Sequence, residues 1–303
     1  MNIRIQFEHE AGPQHDDLAA RLLDIAHQVA PLVEDVTRLP LPSSPLIRLI
    51  TLKAGKTERE TMASRAVTRD ALLWKLDEET VQKCRTNRAI WAQAWEKLAV
   101  LIPMQYTESA AGRPAVLIHA ESVYHAQYDD DHLYTMMAGG FTALAQYQAS
   151  YGHMFRLVYS PYSRHRPEDH PHLGSLTEGH GYWTSRQVTS SILGREVSWG
   201  DEVEGTEHYR EVLRPVKERV AANQAECDKA AAFIEYVVGK IGIAQFNCVW
   251  KTAQFPTPSH IESPDSYVDF LRRNPVPIYV RRPHPSPGTC TPKILRSPAG
   301  SPA

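Results

Sequence analysis

The stretch from Pro114 to Ser150 limits the possible folds of this chain more than any other part. It opens on Pro114-Ala115-Val116-Leu117-Ile118-His119-Ala120, a short apolar, β-branched run that predicts a strand. The acidic cluster Asp129-Asp130-Asp131 follows, and acidic side chains suit the positive end of a helix dipole. A helix is therefore predicted from about His132 to Ser150. Two adjacent glycines, Gly139 and Gly140, stand in its middle, where each costs about 1 kcal/mol relative to alanine. Small residues at such a place mean either close packing of the helix or an emptied volume beside it.

The remaining pattern is mostly helical. Residues 15–34 carry Leu18, Leu22, Leu23, Ile25, Ala26 and Val29 at helical spacing. The connector Pro40-Leu41-Pro42-Ser43-Ser44-Pro45 leads into a predicted strand, Leu46 to Leu52. Helices are predicted over 58–76 and 79–101, the second with Ile90, Trp91, Trp95, Leu98 and Leu101 on its apolar face. Residues 152–173 read as a loop, a further helix begins near Leu176, and helical regions cover 204–222 and 224–241. The expectation is an α+β fold, predominantly helical, in a single domain over 1–280. The Pro/Ser/Gly-rich segment 281–303 is expected to be a disordered tail.

Bulk properties narrow the function. A length of 303 residues with 42% hydrophobic and 22% charged residues allows one substantial core. A net charge of −2 gives no basic field for nucleic acid or an anionic membrane. No apolar run approaches the roughly 18–20 residues that cross a bilayer. Met1-Asn2-Ile3-Arg4-Ile5-Gln6-Phe7 lacks the apolar core of a secretory signal, so a cytoplasmic protein is expected. Cys84, Cys227, Cys248 and Cys290 are scattered and predict reduced thiols rather than disulfides or a structural zinc site. The oligomeric state leaves no mark on the sequence.

The glycine-bearing helix has the outline of a zinc-peptidase helix without its chemistry. Laid over His-Glu-x-x-His, Gly139 takes the first histidine, Gly140 the glutamate and Ala143 the second histidine. Leu133, Met136, Met137, Thr142, Leu144, Gln146 and Tyr147 suit such a helix, and Glu178-Gly179-His180 follows downstream. Further on come the helix Asp228 to Gly242, Phe246-Asn247-Cys248-Val249-Trp250, Phe255-Pro256-Thr257-Pro258 and Ile261-Glu262-Ser263-Pro264-Asp265. With these motifs, residues 112–270 resemble a family of actinobacterial zincin-like metallopeptidases, described as associated with deazaflavin-coenzyme biosynthesis. The chain looks like a degenerate member. The resemblance implies a zincin fold with a small mixed sheet. Pro114–Ala120 would be its edge strand beside a cleft, the motif helix would lie below, and Glu178 would be the surviving third zinc ligand. A lone carboxylate cannot hold a tetrahedral zinc. Neither peptidase activity nor any metal or other cofactor is therefore expected.

Loss of two imidazoles, a carboxylate and a metal empties a volume that something must fill. A neighbouring side chain such as Phe141 or Tyr182 could do so, or a ligand could. The reading favoured by uniformly small replacements is a metal-independent small-molecule pocket around Gly139, Gly140, Ala143, Phe141, Tyr147, His119 and Tyr182. Glu178 and His180 are its candidate acid/base pair, although residues two apart on a helix point in different directions. His119 could face the cleft or solvent, depending on strand parity. The expected function is a biosynthetic tailoring or cyclisation step of secondary metabolism on a small-molecule substrate. The alternative is a non-catalytic pseudopeptidase that pairs a peptide with Pro114–Ala120. Weaker options are a metal site rebuilt from His119, His125, His132, His153, His165, His170, His172 or His180, and a nucleophilic Cys84 activated by Lys83 and Arg85.

Overall fold

Both faces of one small sheet are covered by helices, and each covering follows from strand parity. A computed structural model describes residues 3–162, 173–199, 203–252 and 254–274. The strands are β1 (Gln6–His9), β2 (Leu46–Ile50), β3 (Met104–Glu108) and β4 (Pro114–His119), in the order β1-β2-β4-β3. β1, β2 and β4 run parallel, and β3 is antiparallel to β4. Ile47, Leu49, Val116 and Ile118 point into the main core, which also holds Leu22, Ile25 and Val29 of helix α1 (Asp16–Thr37). Leu46, Ile50, Ala115 and Leu117 point the other way, towards Ala54 of helix α2 (Leu52–Leu73). Period-two alternation produces this division.

Helix α3 (Glu78–Leu98) packs on α2, and α4 (Ala120–Ala126) continues directly from β4. The helix with the paired glycines is α5 (Asp130–Ala149). Its start is fixed by Asp129, whose carboxylate accepts from the His132 N–H at 3.0 Å. After α6 (His153–Val158), the long helices α7 (Leu173–Leu193) and α9 (Lys217–Ile241) stack successively beyond α5, with the short α8 (Glu207–Leu213) between them in sequence. Four short helices close the described chain: α10 (Ile243–Phe246), α11 (Val249–Thr252), α12 (Pro258–Glu262) and α13 (Pro264–Arg273). The fold is α+β and predominantly helical. Among the described residues no helix is long and apolar enough to cross a membrane.

Several expectations need correction. Pro114–His119 is not an edge strand: β2 pairs with one side of it and β3 with the other. The edge is β3, joined to β4 through a turn in which the Gly112 N–H donates to Ser109 O at 3.0 Å. Gly112 has φ +73°, a conformation that suits glycine. A peptide cannot add to β4, because both sets of its backbone groups are already used. Helix α2 begins at Leu52, not 58. Thr51 accepts from Ala54 N, and Glu121 accepts from the Leu52 N–H at 2.9 Å. The 152–173 segment contains α6, and 217–241 is one continuous helix. The expected tail 281–303, and with it Cys290, lies outside the described residues, as do His165, His170 and His172.

Candidate functional site

A helix repeats its facing roughly every 100° per residue, so Gly139, Ala143, Gln146 and Tyr147 share one stripe of α5. Glu178, Gly181 and Tyr182 share a stripe of α7 by the same rule. The two stripes meet at a cavity of about 120 Å³. Tyr106 of β3, Phe155 of α6, Tyr159 and Trp199 complete its aromatic lining. The volume is close to that of an engineered cavity of roughly 150 Å³ known to hold benzene. Among the described residues Glu178 is the single charged side chain in the lining.

The two glycines of α5 serve different neighbours, because adjacent helical residues point about 100° apart. A Cβ on Gly139 would lie 2.9 Å from Cζ2 of Trp199. The indole therefore sits where any side chain at position 139 would begin. Trp199 in turn stacks on Tyr182, with centroids 6.0 Å apart. A Cβ on Gly140 would instead meet Met104 Sδ and Val116 Cγ1, each at 3.3 Å. Gly140 is thus a packing residue against the sheet and lies outside the cavity lining. Trp199, to which no sequence motif points, fills the space beside Gly139, and the space beyond it stays open as the cavity.

Glu178 is exposed, which gives a ligand access to its carboxylate. The Cys227 thiol donates to its Oε2 at 3.4 Å. Burial, and then the Glu178 carboxylate, pushes that thiol up to about 12, so it stays protonated. A zinc ion fits this site poorly. Gly139 and Ala143 carry no donor side chain, an indole occupies the space beside Gly139, and the Cys227 sulfur is a thiol rather than a thiolate. Among the described residues no group of three His, Cys, Asp or Glu could hold a metal ion.

Four expected pocket residues lie elsewhere. His180 is fully buried on the opposite side of α7 from the cavity, about 200° around the helix from Glu178. It packs against Trp183, Phe246 and Trp250. The Gln146 amide donates to its Nδ1 at 3.1 Å and also to Thr177 O at 3.0 Å, tying α5 to α7. Burial drives the His180 pKa down to about 3, so the ring is neutral and unsuited to proton transfer with a cavity ligand. His119 shares the parity of Ala115 and Leu117 and points towards α2, away from the cavity. Its Nδ1–H donates to Ile102 O at 2.6 Å, and its ring meets the Trp95 indole edge-on. Phe141 is a core side chain, 1% exposed. Gly140 faces the sheet. Cys84 is also no nucleophile in this setting: burial, and then Asp70, raises its pKa.

The rim carries a polar network at the end of β3. Arg156 Nη2 donates to Glu108 Oε1 at 2.5 Å, and the Tyr147 hydroxyl donates to the same oxygen and to Gly112 O at 2.8 Å. Partial burial pushes the Glu108 carboxyl up, but Arg156 and Tyr147 together outweigh it and hold the group below its ordinary value. A depressed carboxyl stabilises the fold above its unfolded pKa and loses that contribution as pH falls through the folded value. Glu108→Gln should therefore cost roughly 1 kcal/mol at pH 7, given a half-exposed Arg156 partner. The difference between wild type and variant should shrink below about pH 4. Urea midpoints of both proteins across pH 3–7 measure it; a gap independent of pH would show that the charge is immaterial.

No protein-family profile matches the chain, and no curated protein matches it. A solved structure from Chloroflexus aurantiacus, described as a hydrolase candidate with a novel fold, is similar, with a TM-score of 0.53. The match covers 84% of this chain and 90% of that one at 14% sequence identity. At that identity the likeness is one of fold.

Proposed function

We propose that the chain is a zincin-like protein whose peptidase cleft has become a metal-independent small-molecule pocket. Its function is a biosynthetic tailoring or cyclisation step in which Glu178 handles the proton. One observation carries this reading: Gly139, Ala143 and Glu178, the positions of the lost motif and its surviving acid, line one aromatic cavity in which Glu178 is the single charged side chain among the described residues. A cavity with few convergent polar groups suits a small organic ligand. Positioning in such a site can supply much of a rate enhancement, with one carboxylate moving a proton at the reacting atom. The description of the Chloroflexus aurantiacus protein belongs to that protein; it weighs here towards an enzyme rather than a peptide binder. The peptide-binding alternative also loses its assigned surface, since β4 is an inner strand.

Gly139→Leu tests the reading. The added side chain enters the cavity and displaces the indole of Trp199, the far end of a movable side chain, so the fold should survive. A fragment screen by ligand-observed NMR should give hits on the wild type that vanish in the variant. Hits indifferent to Gly139→Leu would place binding elsewhere and sink the proposal.

A further inference from the structure

Arg65 and Arg69 stand four apart on α2, so their side chains leave the same face of the helix, where like charges repel. The fold then adds a third. Arg156 of α6 lines the same cleft, a space of about 220 Å³ by the β3–β4 turn, together with Glu108, Met62 and Phe155. Among the described residues the charged lining is these three guanidinium groups and the one carboxylate. We propose that this cleft is a second binding site, for an organic oxyanion. The acid group, carboxylate or phosphate, sits on Arg65 between Arg69 and Arg156, and a small apolar body packs on Met62 and Phe155.

Each guanidinium is held by the protein through part of its donor set. Arg69 Nε and Nη2 donate to Asp70 Oδ1 at 3.0 and 2.9 Å, and Nη2 also donates to Arg156 O at 3.1 Å. Arg156 Nε and Nη2 donate to Glu108 Oε1 at 3.1 and 2.5 Å. Arg65 Nη2 donates to the Glu108 carbonyl oxygen, and no carboxylate pairs with Arg65 among the described residues. A guanidinium has five N–H donors, and Nη1 of all three spends none of them on a described residue. Glu108 and the buried Asp70 offset two of the three positive charges, so one remains. Glu108 is itself occupied, since its Oε1 also accepts from the Tyr147 hydroxyl. A cation would be repelled here. An oxyanion supplies the missing charge, and the planar forks match a carboxylate or phosphate. Because the protein already fixes the forks, little side-chain freedom is lost on binding. Phe155 and Tyr159 line both this cleft and the aromatic cavity, so the two sites are neighbours, but the oxyanion site stands whatever the cavity binds.

The test compares anionic and neutral molecules of one size. Benzoate, phenyl phosphate and uncharged benzyl alcohol are titrated by ligand-observed NMR at low ionic strength, where charge is least screened. The proteins are the full chain and its Arg65→Gln, Arg65→Lys and Gly139→Leu variants. At least one anion should bind ten-fold or more tighter than benzyl alcohol, and the tighter of the two identifies the acid group. Arg65→Gln should weaken it at least ten-fold. Arg65→Lys, which keeps the charge but loses the fork, should weaken it several-fold; if Arg65→Gln does not fold, unchanged affinity in Arg65→Lys overturns the proposal. Equal binding of all three molecules, no binding, or anion binding that survives Arg65→Gln also overturns it. Anion binding lost in Gly139→Leu but kept in Arg65→Gln would move the anion into the aromatic cavity. Arg65-dependent anion binding beside fragment hits indifferent to Gly139→Leu would sink the cavity reading alone.

Discussion

Replacing Gly179 with alanine should lower stability by about 3 kcal/mol, the upper part of the range for forcing atoms into a filled contact. Gly179 is buried where α7 crosses α9, and a Cβ there would lie 2.5 Å from Ala230 Cβ and 2.8 Å from the Ala230 carbonyl carbon. The second atom is backbone, so no rotamer change relieves it; the helices must separate. Gly181, on the same helix, is the control. A Cβ on Gly181 meets nothing within 4 Å. Gly181→Ala should therefore be neutral or stabilising by up to about 1 kcal/mol through helix propensity alone. Urea denaturation of the two variants decides the matter. Equal effects would mean that the α7–α9 approach is looser than described. The middle residue of Glu178-Gly179-His180 thus has a packing reason that needs no catalysis.

Mild acid should weaken the fold through His180. The folded ring has a pKa of about 3, against about 6.5 for an unfolded histidine. A depressed folded value means that the unfolded state binds the proton first. The contribution is complete above about pH 6.5 and declines as pH falls towards 3. The slope is about 1.4 kcal/mol per pH unit, so roughly 2 kcal/mol is lost by pH 5. Geometry gives the same conclusion. Nδ1 accepts from Gln146, so the proton sits on Nε2, which is buried with no hydrogen-bond partner among the described residues. Protonation would put a charge among three aromatic rings. His119, buried and also held below its ordinary value by burial, adds in the same direction. His180→Leu should start less stable at pH 7, because Gln146 loses an acceptor, yet lose less between pH 7 and pH 5. Urea midpoints at both pH values test this; an unchanged acid loss in the variant would exonerate His180.

The parts of the fold legible in the sequence were those whose burial is continuous. β4 stands out because apolar residues run through it without interruption, and α5 because Met136 to Phe141 are all apolar or glycine. The same run in β4 carried a second message, because a strand apolar at successive positions is buried on both faces. That describes an inner strand rather than the edge implied by family resemblance. β3 escaped notice because Met104-Gln105-Tyr106-Thr107-Glu108 is short, alternates in burial and has one β-branched residue. With β3 unread, Tyr106 was invisible as a cavity wall. Phe155 and Tyr159 were hidden in a segment read as loop, and Trp199 approaches Gly139 only through the tertiary fold. Helical angle alone could have separated Gly140 and Phe141 from the Gly139 stripe, and His180 from that of Glu178. Parity could not orient His119, since both faces of its strand are apolar.

The seating of Trp199 on Gly139 makes that face of α5 a closed door. A histidine placed at Gly139 would need the indole to leave first, and a glutamate at Gly140 would press on Met104 and Val116 of the sheet. Writing a His-Glu-x-x-His motif into α5 would therefore not by itself create a metal site. The neighbours hold the room, and any such change would have to pass through them before it reached the helix.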